Sequence, residues 1–206
     1  MADLTAAFID ACVANILDHA DELTALDQAI GDGDHGLNMK RGFEAIAAER
    51  DALSDLDPGA GLQKAGMTLV MKVGGASGPL YGSFLMAMGK AMPEESVSLD
   101  DFAQAFAAGV DAVKSRGKSD RGEKTMLDVL GPVEDALKQS ASTADALAGA
   151  TAAADEGLES TRAMQATKGR ASFLAERSVD HLDPGARSSQ LLVHAVCQVM
   201  QGKTGE

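Results

Sequence analysis

The chain has 206 residues, enough for one domain with a substantial core, and carries 31 acidic against 18 basic side chains, a formal net charge of −13. That balance excludes partners gripped through a nucleic-acid phosphate backbone, which need a basic face. It leaves room for a small nucleotide whose charge a bound cation offsets. Ala, Leu, Gly and Met are abundant while Trp is absent and Tyr occurs once, a composition that favours helices over strands and predicts an all-α protein.

Apolar positions at Leu4, Phe8, Cys12, Ile16 and Leu23 recur at roughly helical spacing and predict a first helix over 4–26. An acidic, glycine-rich stretch, "AIGDGDHGLNMKRGF" at 29–43, follows, and a second helix runs from Gly36 to about Arg50. The third starts after Pro58 and stops at Gly74-Gly75, with Pro at the entrance and Gly beyond the exit. A fourth covers Ser77 to Ala91, ahead of Pro93, and Ser98-Leu99-Asp100-Asp101 caps a fifth that reaches Ser115. The sixth spans Thr125 to Ser140, with Pro132 marking a kink or a late start. Helix seven covers Thr143 to Gln165 and the eighth covers Gly185 to Met200. Eight helices joined mostly by short connections, with no repeat, predict one domain over 1–206. Cys12 and Cys197 lack CxxC spacing and read as buried thiols in a reducing compartment. No signal peptide and no membrane-length apolar run occur, so a soluble cytoplasmic protein is expected, with no membrane partner.

Three longer irregular segments, 27–35, 116–124 and 166–184, and the turn "GGASG" are where a helical bundle would place chemistry. In the first, Asp27, Asp32 and Asp34 form a hard-oxygen cluster suited to Mg²⁺, and three carboxylates are enough for a pair of ions. An EF-hand is excluded, because counting from Asp32 puts Phe43 at position 12. The competing reading is an acidic, solvated turn between helices. His35, Gly36, Leu37 and Asn38 open a helix whose first N–H groups lack partners, a ready anion site or a simple cap. "GGASGPLYGS" at 74–83 repeats that logic with Ser77. "GKSDRGEKT" at 117–125 nearly spells a phosphate-binding P-loop, but Glu123 intrudes and no strand precedes it. It remains a glycine-lysine loop able to close over a ligand. In the last segment Arg170 follows Gly169, and Asp183-Pro184-Gly185-Ala186 is a turn into the final helix.

Together, "LDQAIGDGDHGLNMKRGF", "GGASGPLYGSF", "RGKSDRGEKTMLDVLGP" and "TKGRASFLAERSVDHLDPGARSSQLL" resemble the nucleotide-binding L subunits of dihydroxyacetone kinases, in the family's order and over nearly the whole chain. The resemblance implies a barrel of eight antiparallel helices with ADP and two Mg²⁺ ions at one end. It implies that Asp27, Asp32 and Asp34 hold the magnesium, and that His35, Gly36, Leu37 and Asn38 lie near the phosphates with Ala76 and Ser77. Gly117, Met126, Arg170 and the Asp183-Pro184-Gly185 turn would complete the nucleotide site, Met126 against the adenine. His35 stands where the related domain of fatty-acid kinases resembles "GDGDTG".

The resemblance also implies partners: a separate K subunit that binds the keto-substrate covalently and, in the phosphotransferase-system version, a phosphoryl-donating M subunit that recharges ADP in place. The ATP-exchanging version is very similar. Two other readings stay open here: an L subunit of a related ketose or tetrulose kinase, and a nucleotide-loaded regulatory protein that binds a transcription factor.

Overall fold

The computed structural model describes residues 2–94 and 97–204, so Met1, Glu95, Ser96, Gly205 and Glu206 of the expected domain lie outside the described residues. In chain order the helices are α1 (Ala2–Asp18), α2 (Ala20–Ile30), α3 (His35–Ala48), α4 (Arg50–Ser54), α5 (Pro58–Lys72) and α6 (Ser77–Ala91). They continue with α7 (Leu99–Gly117), α8 (Leu127–Gln139), α9 (Thr143–Ala163), a 3-10 segment (Arg170–Ser178) and α10 (Pro184–Thr204). Among the described residues there is no strand, as the composition requires.

Local chemistry explains most boundaries. Asp57 accepts the Ala60 N–H at 2.9 Å, with Pro58 in the first helical position of α5. Ser98 and Asp101 form a reciprocal capping box at the start of α7. Two expected helices are divided. The 4–26 helix breaks at His19, whose backbone leaves the helical region while its ring bonds the Asn15 carbonyl at 2.8 Å, and α2 then runs on to Ile30. The Gly36–Arg50 helix ends at Ala48, and Glu49 separates it from the short α4. Neither break interrupts the apolar period, so periodicity could not reveal it. The expected sixth helix starts two residues later than read and continues through Pro132.

Eight of these helices pack as successive neighbours in a closed cycle: α1, α3, α5, α6, α7, α8, α9, α10 and back to α1. The core runs through the cycle and includes Ile16, Leu23, Met39, Phe43, Val110 and Leu127, with Phe84 and Phe106 edge to face at 5.2 Å. The α5–α6 contact is very close because glycines face each other at heptad spacing. A Cβ on Gly66 would lie 2.7 Å from the Gly82 carbonyl oxygen, and one on Gly89 would lie 2.4 Å from that of Gly59. Several glycines therefore serve helix packing rather than turns. No helix among the described residues is long and apolar enough to cross a membrane.

Candidate active site

Asp27 lies in the last turn of α2 and is only 8 % exposed. A carboxylate there opposes its own helix's dipole. The fold offsets this with the N-terminus of α3, which has no side-chain cap from its own N-cap residue. Asp27 Oδ2 accepts the backbone N–H groups of Asp34 at 2.8 Å and His35 at 3.1 Å, so the buried acid joins the two helices as a cap supplied from a distance. Asp32 and Asp34 stand exposed on the connection, and one carboxylate oxygen from each of the three aspartates lies within 4.8 Å of the others.

This donor set fits a hard cation. Ligands on opposite sides of Mg²⁺ stand about 4.2 Å apart, twice a metal–oxygen distance of about 2.1 Å, close to the span of these oxygens. All three donors are carboxylates, which favours Mg²⁺ over thiolate-seeking metals. Among the described residues one basic side chain enters the cluster: Arg170 Nε lies 2.7 Å from Asp32 Oδ2.

The cluster opens onto a cavity of about 670 Å³. Its wall gathers Asp27, Asp32, Asp34, His35, Ala76, Ser77, Gly117, Met126, Arg170, Asp183, Pro184 and Gly185 from distant parts of the chain. The N-terminus of α6, at Ala76 and Ser77, has no side-chain cap and faces this space, the arrangement that suits an anion. Three residues singled out in the sequence are not on the wall. Gly36 faces α2, where a Cβ would lie 1.9 Å from the Ala20 carbonyl oxygen, so its small size serves the helix crossing. Leu37 points outward and is 58 % exposed. Asn38 is buried against the Gly74-Gly75 turn, with its Oδ1 2.7 Å from where a Gly74 Cβ would sit.

From the wall inward runs a polar network that joins His35 and Ser77 to Tyr81, Ser188 and Ser189, the last three missed by sequence reasoning. His35 is buried, with Nδ1 3.0 Å from Ser77 Oγ and Nε2 2.9 Å from Ser188 Oγ. Burial holds its imidazole below the usual range against the opposing pull of Asp27 and Asp34. Ser188 also meets the Tyr81 hydroxyl at 2.7 Å, and Tyr81 reaches Ser189 at 2.8 Å and the Gly185 carbonyl at 3.2 Å. Burial pushes the Tyr81 phenol up to about 12, so it stays protonated. The single tyrosine of the chain was the available signal, since a buried tyrosine hydroxyl needs a partner.

Lys124, in the loop that resembles a P-loop, is 1 % exposed. Its ammonium donates to the carbonyls of Thr161 at 2.7 Å, Met164 at 3.1 Å and His181 at 2.5 Å. All three N–H donors are used, so the lysine clasps the end of α9 and the segment before α10. Burial lowers its pKa while the nearby Asp183 carboxylate opposes the shift. Asp183 is itself buried, accepts the Ala186 N–H at 2.7 Å, and is pushed up to about 7 chiefly by burial. Asp128 folds the same loop, accepting the Gly122 N–H at 2.5 Å and the Thr125 N–H at 2.8 Å.

Residues 29–198 match the DAK2 domain family. Over 176 residues the chain is 48 % identical to the PEP-dependent dihydroxyacetone kinase 1, ADP-binding subunit DhaL, of Listeria innocua, covering 85 % of each. It is 47 % identical over 176 residues to the Escherichia coli PEP-dependent dihydroxyacetone kinase ADP-binding subunit DhaL, covering 83 % of this chain and 84 % of that one. The solved dihydroxyacetone kinase of C. freundii in complex with AMP-PNP and Mg²⁺ superposes with a TM-score of 0.76 at 25 % identity, over 95 % of this chain and 34 % of that longer one. The chain belongs to the DAK2 domain family, among the L subunits of dihydroxyacetone kinases.

Proposed function

We propose that this chain is the adenine-nucleotide-binding subunit of a dihydroxyacetone kinase. It passes the γ-phosphoryl group of a bound nucleotide to a hydroxyl of dihydroxyacetone held on a separate K subunit. The observation that carries this reading is that a three-carboxylate cluster and the uncapped N-terminus of α6 share one cavity. A phosphate chain there meets backbone N–H groups on one side and the carboxylates' cation on the other.

In this reading Asp27, Asp32 and Asp34 hold two Mg²⁺ ions, whose chemistry is to offset charge on the transferring phosphoryl group. The chain's own residues supply position. Asp27 orients the start of α3 through its two backbone contacts. His35, fixed between Ser77 and Ser188, keeps the wall of the phosphate site rigid. Met126 and the Asp183-Pro184-Gly185 turn line the far side, where an adenine would pack. The chain matches 34 % of the C. freundii kinase's length, which fits a division in which the ketose is held elsewhere. The L subunits at 38–48 % identity are named as PEP- or PTS-dependent and ADP-binding. This favours ADP as a resident coenzyme recharged by a phosphoryl-donating M subunit.

Two measurements test the proposal. Gently purified protein should release stoichiometric ADP that exchanges slowly with free ATP; rapid exchange would remove the coenzyme reading. Asp32→Ala should abolish phosphoryl transfer with the helical circular dichroism spectrum intact, and full activity would remove the metal assignment.

A further inference from the structure

The metal reading of the aspartate cluster leaves one contact unexplained, the one between Asp32 and Arg170. Asp32 belongs to the α2–α3 connection, whereas Arg170 opens the 3-10 segment 138 positions later. Their side chains remain 38 % and 70 % exposed, so the pair is held from solvent on neither side. The segment that carries Arg170 is an excursion tied at its two feet. At the first, Lys168 donates to the Lys118 carbonyl at 2.7 Å, and the Thr167 N–H reaches the Glu123 carbonyl at 3.3 Å. At the second, Ser178 is fully buried and its Oγ accepts the Ala166 N–H at 2.9 Å. Between the feet the tip is open: Phe173 is 85 % exposed. Gly169 has φ 63° and ψ −162°, a conformation reserved for glycine, and Ala175 breaks the segment again at φ 49°.

We propose that Arg170 is a built-in competitor for the metal: its guanidinium occupies Asp32 in the cation-free chain and must release Asp32 for the divalent ion to bind. This rests on the assignment of Asp27, Asp32 and Asp34 as metal ligands. The physical ground is charge. Three carboxylate oxygens within 4.8 Å repel one another, and Arg170 is the cation that the fold brings to Asp32. A divalent ion does the same work with twice the charge, and it takes the carboxylate oxygen lone pairs that the guanidinium now faces. Loading the metal therefore frees Arg170, and with it the 169–177 excursion, whose first residues Gly169, Arg170 and Ala171 lie on the wall of the same cavity. Arg170 acts as a positioning residue that couples occupancy of the cluster to the placement of this segment.

The test uses the full, nucleotide-free chain and Mn²⁺ as the probe, read by electron paramagnetic resonance. Arg170→Gln, which keeps a polar side chain but not the charge, should bind Mn²⁺ about two- to fivefold more tightly than the parent, the scale set by an exposed ion pair. Arg170→Lys, which keeps the charge, should fall between them. Chymotryptic cleavage after Phe173 should speed up on adding Mn²⁺ to the parent, while Arg170→Gln should cleave at the faster rate without metal. Unchanged or weaker Mn²⁺ binding by Arg170→Gln, where Asp32→Asn still abolishes binding, would overturn the competition and leave the metal assignment standing. Parent protein that binds Mn²⁺ no better than Asp32→Asn would overturn both.

Discussion

On one side of the cavity Asp32 and Asp34 stand in solvent beside the buried Asp27, and Arg170 is paired to Asp32. On the other, Lys124 and Asp183 line the cavity and Ser188 backs it; all three are buried, and each has partners within the protein. The first side is incomplete in charge, which makes it receptive to a cation. The second is complete, and because an unpaired buried polar group is costly, completeness gives it stiffness. Chemistry and shape are thus divided between two walls of one site. His35 joins them, because it starts α3 beside the aspartates and bonds Ser188 on α10.

If that division is correct, substitutions on the two walls should have opposite signatures. Asp34→Asn should lower phosphoryl transfer by about 10²–10³-fold or more, the scale for removing preorganised charge stabilisation, with the melting temperature little changed. A large loss of stability in that variant would break the comparison. Lys124→Met keeps an unbranched apolar stem but leaves the carbonyls of Met164 and His181 without this donor. It should cost about 2–4 kcal/mol in urea unfolding, and an unaltered unfolding midpoint would show that the clasp is dispensable.

The pH dependence of stability sharpens the contrast. Asp183 is raised from 3.8 to about 7 in the folded chain, so the folded state holds a proton that the unfolded state releases. The stability this group contributes is fully present below about pH 4 and declines as pH rises towards 7, by at most about 1.4 kcal/mol per pH unit. Asp183→Asn should flatten that decline, measured as unfolding free energy at several pH values. The smallest effect belongs to Ser188→Ala, which removes one hydroxyl shared by His35 and Tyr81. It should cost about 1 kcal/mol and leave metal binding unchanged.

The parts of the site that were legible in the sequence are those where a few adjacent residues carry the chemistry. Asp27, Asp32 and Asp34 lie within eight positions, so their clustering survives any arrangement of the rest of the chain. Helix α6 and the cap of α7 were equally legible, because proline, glycine and the Ser98–Asp101 box act locally. The breaks at His19 and Glu49 were not, since apolar spacing runs through both. Gly36 was only partly legible: the sequence shows a glycine at a helix start, but not that its Cα face is pressed against the backbone of α2.

Composition, periodicity and local spacing alone determined the all-helical class and the acidic cluster. Only the tertiary structure decided that Asp27 is stabilised by the N-terminus of the next helix, and that Lys124 serves as a clasp. It alone decided that Ser188 holds His35 from 153 positions away and that Arg170 sits on Asp32. Helix formation and capping depend on neighbours within a turn or two, which a sequence displays directly. The partner of a buried polar group is chosen by which helices the closed cycle brings side by side, and that is a property of the whole chain.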